Sequence, residues 1–258
     1  MNSFKKTIPR LLFLLVSLVA GLVTSSMAQK SQKGTAMQIF DGKTLKGWDG
    51  DPNYWRVENG NLVGEITPDK QLKTNSFIIW KGGEPSDFEL TGEFNITSDG
   101  NSGINYRSDQ LSDVPFALRG YQADIDGKNR YTGQNYEERK RTTLAYRGQK
   151  TTINPYTGDA SPEAIREKVS KNAWSNLTVT SSLGSSDSLK TFIKEGDWNT
   201  FRLVIKGNHL QHYVNDVLMS DVTDDDTVNG KAKGLIGVQV HVGPPMKVQY
   251  RKLMLKSM

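Results

Sequence analysis

Nine polar residues of this 258-residue chain suit hydrogen-bonding and proton-transfer chemistry: Glu93, Asn105, Arg107, Gln122, Asp124, Asp126, Arg147, Gln239 and His241. Each lies on a segment of alternating apolar and polar residues, on the face opposite the apolar set. The group is short of lysine and rich in amides, guanidinium and carboxylate, whereas solvated sheet faces favour Lys, Glu and Thr. Planar polar groups can grip vicinal hydroxyls in pairs, and an aromatic ring such as Tyr136 can stack at the rim. Gathered on one concave sheet, these residues make a sugar-type cleft with Glu137 close by. Spread over two sheets, they are plain solvent surface. Alternation alone leaves both arrangements open.

His241 is the histidine placed for chemistry. It follows Gln239 on the polar side of a strand whose Ile236, Val238, Val240 and Val242 share the other face. Gly243-Pro244-Pro245 then ends the strand, because successive prolines cannot donate to a ladder. His212 shares a face with Leu210 and Val214 and reads as a core histidine; His209 sits at a turn and reads as exposed. There is no His-x-x-x-His pair, no Gly-x-Ser-x-Gly elbow and no phosphate loop. Asp224-Asp225-Asp226 reads as a solvated loop rather than a metal site.

Short strands must carry these residues. Trp55–Val57 and Asn61–Val63 flank an Asn59-Gly60 hairpin turn. Phe88–Ile96 alternates, with Phe88, Leu90, Phe94 and Ile96 on one side and Glu93 on the other. Further strands are expected at 103–107, with Ile104 and Tyr106 inward, at 120–126, with Tyr121, Ala123 and Ile125 inward, and at 143–147, with Leu144 and Tyr146 inward. A meander covers 198–222 with turns at Gly207-Asn208 and Asn215-Asp216, and strands at 235–242 and 247–256 close the chain. A polar insertion, residues 148–197, holds the one helical pattern, Ser161–Val169, with Ser161 as cap and Pro162 in the first turn. It also offers an edge strand at 176–180. The fold expected is an all-β jelly-roll β-sandwich of two antiparallel sheets with one short helical insertion.

Residues 1–28 read as a signal peptide: a basic start at Lys5, Lys6 and Arg10, an apolar run from Leu11 to Val23, and Ser26-Met27-Ala28 for cleavage. A retained N-terminal anchor is the other reading. Residues 29–36 form a polar tether, and 37–258 a single domain that is periplasmic or secreted. The sequence has no cysteine, which excludes disulfides and a lipoprotein anchor. Its 33 basic and 28 acidic residues give +5; without residues 1–28 the balance is 30 against 28, net +2. With no basic stripe, nothing points to nucleic acid, and none to a membrane once the signal is cleaved.

Six motifs follow one another in a set order: Ile39–Trp48, Gly100–Arg107, Gly120–Asp124, Gly196–Arg202, His212–Asp216 and Gln239–Pro245. In this order the chain resembles the 3-keto-disaccharide hydrolase domain family over about residues 37–256. The resemblance implies a concanavalin A-like jelly roll with a concave binding sheet and a saccharide substrate. It also implies a reaction in which the C3 carbonyl acidifies the C2 proton, a base removes it, the enolate expels the C1 leaving group and water adds. Such chemistry needs a base, an acid and a donor at the enolate. His241 suits base or acid, with Asp124 or Glu93 as its partner, and Arg107 or Arg147 suits the enolate. A divalent ion on Asp124, Glu137 or His241 would serve as well, though the sequence establishes no cofactor.

Two other readings stand beside it. A retaining endo-glucanase needs two carboxylates about 5–5.5 Å apart; Asp124 and Asp126 offer a pair, but no glutamate stands at the further step. A non-catalytic carbohydrate-binding module uses the same fold.

Overall fold

Strict alternation builds the two layers. In the computed structural model, which describes Met1 and residues 34–258, the chain is almost wholly strand and turn. The segment expected to be a signal peptide, after Met1, and most of the expected tether lie outside the described residues. The strands β1 (Ala36–Gln38), β2 (Trp48–Asp49), β3 (Trp55–Glu58), β4 (Asn61–Ile66), β5 (Ser76–Trp80) and β6 (Phe88–Ile96) come first. Next are β7 (Asn101–Gln110), β8 (Leu118–Asp126), β9 (Asn135–Glu138), β10 (Thr142–Ala145) and β11 (Gln149–Ile153). The insertion adds α1 (Pro162–Glu167), β12 (Val169–Ser170), β13 (Ala173–Trp174), β14 (Leu177–Ser182) and α2 (Ser186–Lys190). The chain closes with β15 (Asn199–Lys206), β16 (His209–Val214), β17 (Val217–Asp224), β18 (Leu235–Val240) and β19 (Met246–Ser257).

Ten strands form one sheet, β14-β11-β17-β16-β15-β6-β19-β4-β3 with β1 paired to β19; nine form the other, β12-β13-β10-β9-β8-β7-β18-β5-β2. Pairing is antiparallel except β11 with β17 and β10 with β13. The expected turns are present: Asn59 and Gly60, both at positive φ, join Glu58 to its partner Asn61, and Asn215-Asp216 joins Val214 to Val217. In β6 the buried positions Phe88, Leu90, Phe94 and Ile96 alternate with half-buried ones. They join Tyr106, Tyr121, Leu203 and Tyr250 in one core between the sheets. Truncating such a ring to alanine costs about 3–5 kcal/mol.

β7 and β8 behave differently, being buried on both faces over most of their length. One face belongs to the core, where Tyr106 and Tyr121 stack at 5.5 Å. The other carries Asn105, Gln122 and Asp124, so a second buried surface exists and it is polar.

Several expectations need correction. Tyr146 is exposed, because a bulge between Thr143 and Ala145 ends β10 and the chain turns at Tyr146–Gln149. Val242 is also exposed, since β18 stops at Val240. The helix is shorter than the pattern, though Ser161 does cap it by accepting from the Ala164 N–H. A second helix, α2, forms behind the cap Ser185 in a stretch whose serines read as loop. The edge strand β14 lies where expected. The acidic run is not solvated: Asp224 and Asp226 are buried against Arg141. Among the described residues no helix is long and apolar enough to cross a membrane.

Candidate functional site

Cross-strand register assembles the polar face. Asn105 pairs with Gln122, Gln122 with Tyr136, and Asn105 with Gly237. Directly paired residues point to the same side of a sheet, so three amide-bearing strands and an aromatic one converge. Gly103, opposite Asp124, makes the arrangement possible: a Cβ there would stand 2.4 Å from the Gln122 side chain. With that space open, Gln122 lies across β7 and donates through Nε2 to Asp124 Oδ1 at 2.6 Å. Gln134 donates to the other carboxylate oxygen.

Above these residues is a cavity of about 200 Å³ lined by Asn101, Gln122, Asp124, Tyr131, Gln134, Tyr136, Glu138, Asn172 and His241. Amides are the nearest partners of its two carboxyls. Asp124 is pushed up to about 7 by burial, against the pull of its two amide donors and with the Glu138 and Asp126 charges adding to the rise. Glu138 is also raised by burial, while the Asn75 amide, 3.1 Å away, and Arg139, 3.7 Å away, oppose the shift. Tyr136 is raised by burial and by both carboxyls, so its phenol keeps its proton. His241 contacts the carbonyl of Val242 through Nδ1 at 2.7 Å. A carbonyl only accepts, so Nδ1 carries the hydrogen and Nε2 of the neutral ring has a free lone pair.

Beneath the cavity, both side-chain atoms of Asn105, both of Gln239 and the Oε1 of Gln122 are buried without a well-formed hydrogen bond. Gln239 leans toward Glu138 without closing one. An unsatisfied buried amide costs about 1–3 kcal/mol. Such a set on one face is a reserve for hydroxyls or bound water.

Four of the residues singled out in the sequence thus meet at the cavity wall (Gln122, Asp124, Tyr136 and His241), with Asn105 and Gln239 buried beneath it. The other five are placed elsewhere. Glu93 lies on β6, in the opposite sheet, and binds Arg251 and Lys252, each at 2.6 Å. Alternation fixed its face but not its sheet. Arg107 turns away at a bulge between Tyr106 and Asp109, with φ 45°, and donates to the carbonyls of Ser86, Gly207 and Lys231. Arg147 donates to the carbonyls of Thr132 and Ser186. Glu137 faces the core side, where Arg141 holds it at 2.5 Å. Asp126 accepts from the N–H groups of Arg130, Tyr131 and Thr132. Asp126 and Arg147 therefore serve the cavity indirectly, by fixing the loop that presents Tyr131 and Gln134.

Glu137 points to the opposite face from Asp124 and His241, so these three do not share one site, and among the described residues no group of three or more acids or histidines is placed to hold a metal ion. The residues that sequence reasoning missed are Glu138, Asn101, Tyr131, Gln134, Asn172 and the buttress Asn75. For Glu138 a signal existed: it stands two positions after Tyr136 and so shares its face. Asn172 comes from the insertion hairpin, and no local pattern could place it there.

A jelly-roll sandwich with a polar cavity on one sheet is the architecture of carbohydrate-active and carbohydrate-binding proteins. The chain belongs to the 3-keto-alpha-glucoside-1,2-lyase-like domain family, whose profile matches residues 35–256. Among solved structures it is similar to a candidate glycosyl hydrolase from Parabacteroides distasonis ATCC 8503, at 17% identity and TM-score 0.53, covering 87% of this chain and 100% of that one. A Bacillus subtilis protein of unknown function with a galectin-like fold aligns at 13% identity and TM-score 0.51, covering 88% and 97%. At these identities the likeness establishes the fold. No curated protein matches the chain in sequence.

Proposed function

We propose that the protein cleaves 3-keto-glycosides by elimination across C1 and C2, followed by addition of water. The observation that carries this reading is the cavity itself: a carboxyl titrating at about 7, a second raised carboxyl and an imidazole with a free Nε2 line one small space.

In this reading His241 Nε2 takes the C2 proton and the electron pair moves onto the C3 oxygen as an enolate. The Tyr136 hydroxyl donates to that oxygen. Protonated Asp124 gives its proton to the C1 leaving oxygen as the C1–O bond breaks, leaving an enone and the free alcohol. Ionised Asp124 then activates water for attack at C1, and protonated His241 returns the proton to C2. Glu138 stabilises the imidazolium between the two steps. The basic and apolar segments before Ala28 support an exported enzyme.

Two carboxyls at one cavity also suit a conventional glycosidase, so the test is a paired assay. The protein should cleave a 3-keto-glucoside and leave the parent glucoside intact. Cleavage of the parent alone would assign it to ordinary glycoside hydrolysis, and tight glycan binding with no turnover of either would make it a binding module.

A further inference from the structure

A glycoside has two halves, and the Asp124 cavity has room for one hexose ring. The other half needs a place beyond the C1 oxygen. A second cavity of about 760 Å³ adjoins it, and Tyr136 lines both spaces. Its size is that of a small-molecule site, about 300–1,000 Å³. The insertion supplies the outer wall of both: Ile165 and Arg166 of α1 and Val169 of β12 line the second, and Asn172 of the same hairpin lines the first.

The lining of the second cavity is one-sided in charge. Arg119, Arg139, Lys140 and Arg166 face a single acid, Asp113. Arg139 donates to the Thr74 hydroxyl and Lys140 to the Asn229 carbonyl, but the carboxylate contacts of these cations are long. Arg119 comes no nearer than 3.9 Å to Asp109, and Lys140 is 3.6 Å from Glu137. Arg166 shares a surface hollow with Glu163 and Glu167 of its own helix. Burial lowers the Lys140 ammonium from its ordinary value, as it does for a cation short of counter-charge. Between these cations lie Leu111, Ile165, Val169 and Val228, an apolar surface for a flat body.

We propose that this second cavity is the leaving-group subsite and that it selects aryl aglycones bearing a carboxylate. The proposal rests on the 3-keto-glycoside reading for its catalytic test, but its binding test does not. The substrates are the 3-keto-glucosides of 4-hydroxyphenylacetic acid and of its carboxamide. The methylene spacer keeps the two phenols nearly equal as leaving groups, so any preference comes from binding. The expected kcat/KM favours the acid at least about tenfold, roughly one charge-assisted contact. In the Arg119→Gln, Arg166→Gln double variant that preference should fall to within about twofold. Equal kcat/KM for the two substrates in the wild-type protein would overturn the proposal. If neither substrate is cleaved, the 3-keto reading is what fails, and calorimetric titration with free 4-hydroxyphenylacetate decides the subsite. Binding that is lost in the double variant supports it; no binding to the wild type sinks it.

Discussion

Two acidic clusters lie on opposite faces of the same strands, and they differ in what answers their charge. Glu137 and Glu138 are neighbours on β9. Glu137 points toward the core side and joins Asp224 and Asp226 around Arg141, at 2.5, 2.7 and 3.2 Å, with the Tyr121 hydroxyl donating to Asp224 at 2.6 Å. Burial alone would lower the guanidinium, yet Glu137 and Asp224 hold Arg141 well above its ordinary value. Glu138 points the other way, into the cavity with Asp124, where amides are the closest partners. A carboxylate clamped by a buried cation is held as charge. A carboxyl buried among amides keeps its proton to near neutrality and can pass it on. The same residue type, one position apart, becomes structural or reactive according to the counter-charge behind it.

Breaking each cluster should have a different signature. His241→Ala and Asp124→Asn should each lower kcat on a 3-keto-glucoside by about 10²–10⁴-fold, with the native fold retained; full retained turnover in either variant would remove that residue from the mechanism. Arg141→Met leaves three buried acids without their cation and should cost about 3–5 kcal/mol. Urea unfolding measures this, and activity per folded molecule should persist.

The third test concerns pH. The native Asp124 carboxyl holds its proton to about 7, against 3.8 for an ordinary one. Between those values the native state binds more protons than the unfolded chain, so this residue's contribution to stability falls as pH rises from about 4 to 7. Asp124→Asn removes that fall. The variant should therefore gain on the wild type across this window, by an amount on the order of 4 kcal/mol. Urea midpoints at pH 4, 5.5 and 7 read the sign; a difference that is flat or runs the other way would show that the carboxyl is not raised.

Smaller effects should follow at the loop and on the far sheet. Asp126→Ala releases three N–H groups of the loop that carries Tyr131 and should lower kcat/KM about 10-fold through misplacement of the wall. Glu93→Gln, on the other sheet, should leave turnover unchanged and shift stability by no more than about 1 kcal/mol, as exposed ion pairs do.

Much of this contrast can be read from the chain before folding. Alternation placed Gln122, Asp124, Gln239 and His241 on one face, and their strands flank β7 on either side in the nine-stranded sheet. What alternation lacks is long-range information. It gives a side chain's face along its own strand but not the sheet to which that strand belongs, which is why Glu93 was grouped with residues on the opposite layer. It also assumes an unbroken pleat, and the bulge after Tyr106 turns Arg107 away. The clamp on Glu137 depends on Asp224 and Asp226, nearly ninety positions on, so its role was beyond any local pattern. Asn172 reaches the cavity only because β13 pairs with β10.

The central claim is that Asp124, buried among amides, is the acid that protonates the leaving group. The pH dependence of kcat on a 3-keto-glucoside, taken for the wild type and for Asp124→Asn, tests it most directly. The wild type should lose activity as pH rises through about 7, and the residual activity of the variant should lack that falling limb. The same falling limb in both proteins would assign the acid to another group and contradict the account.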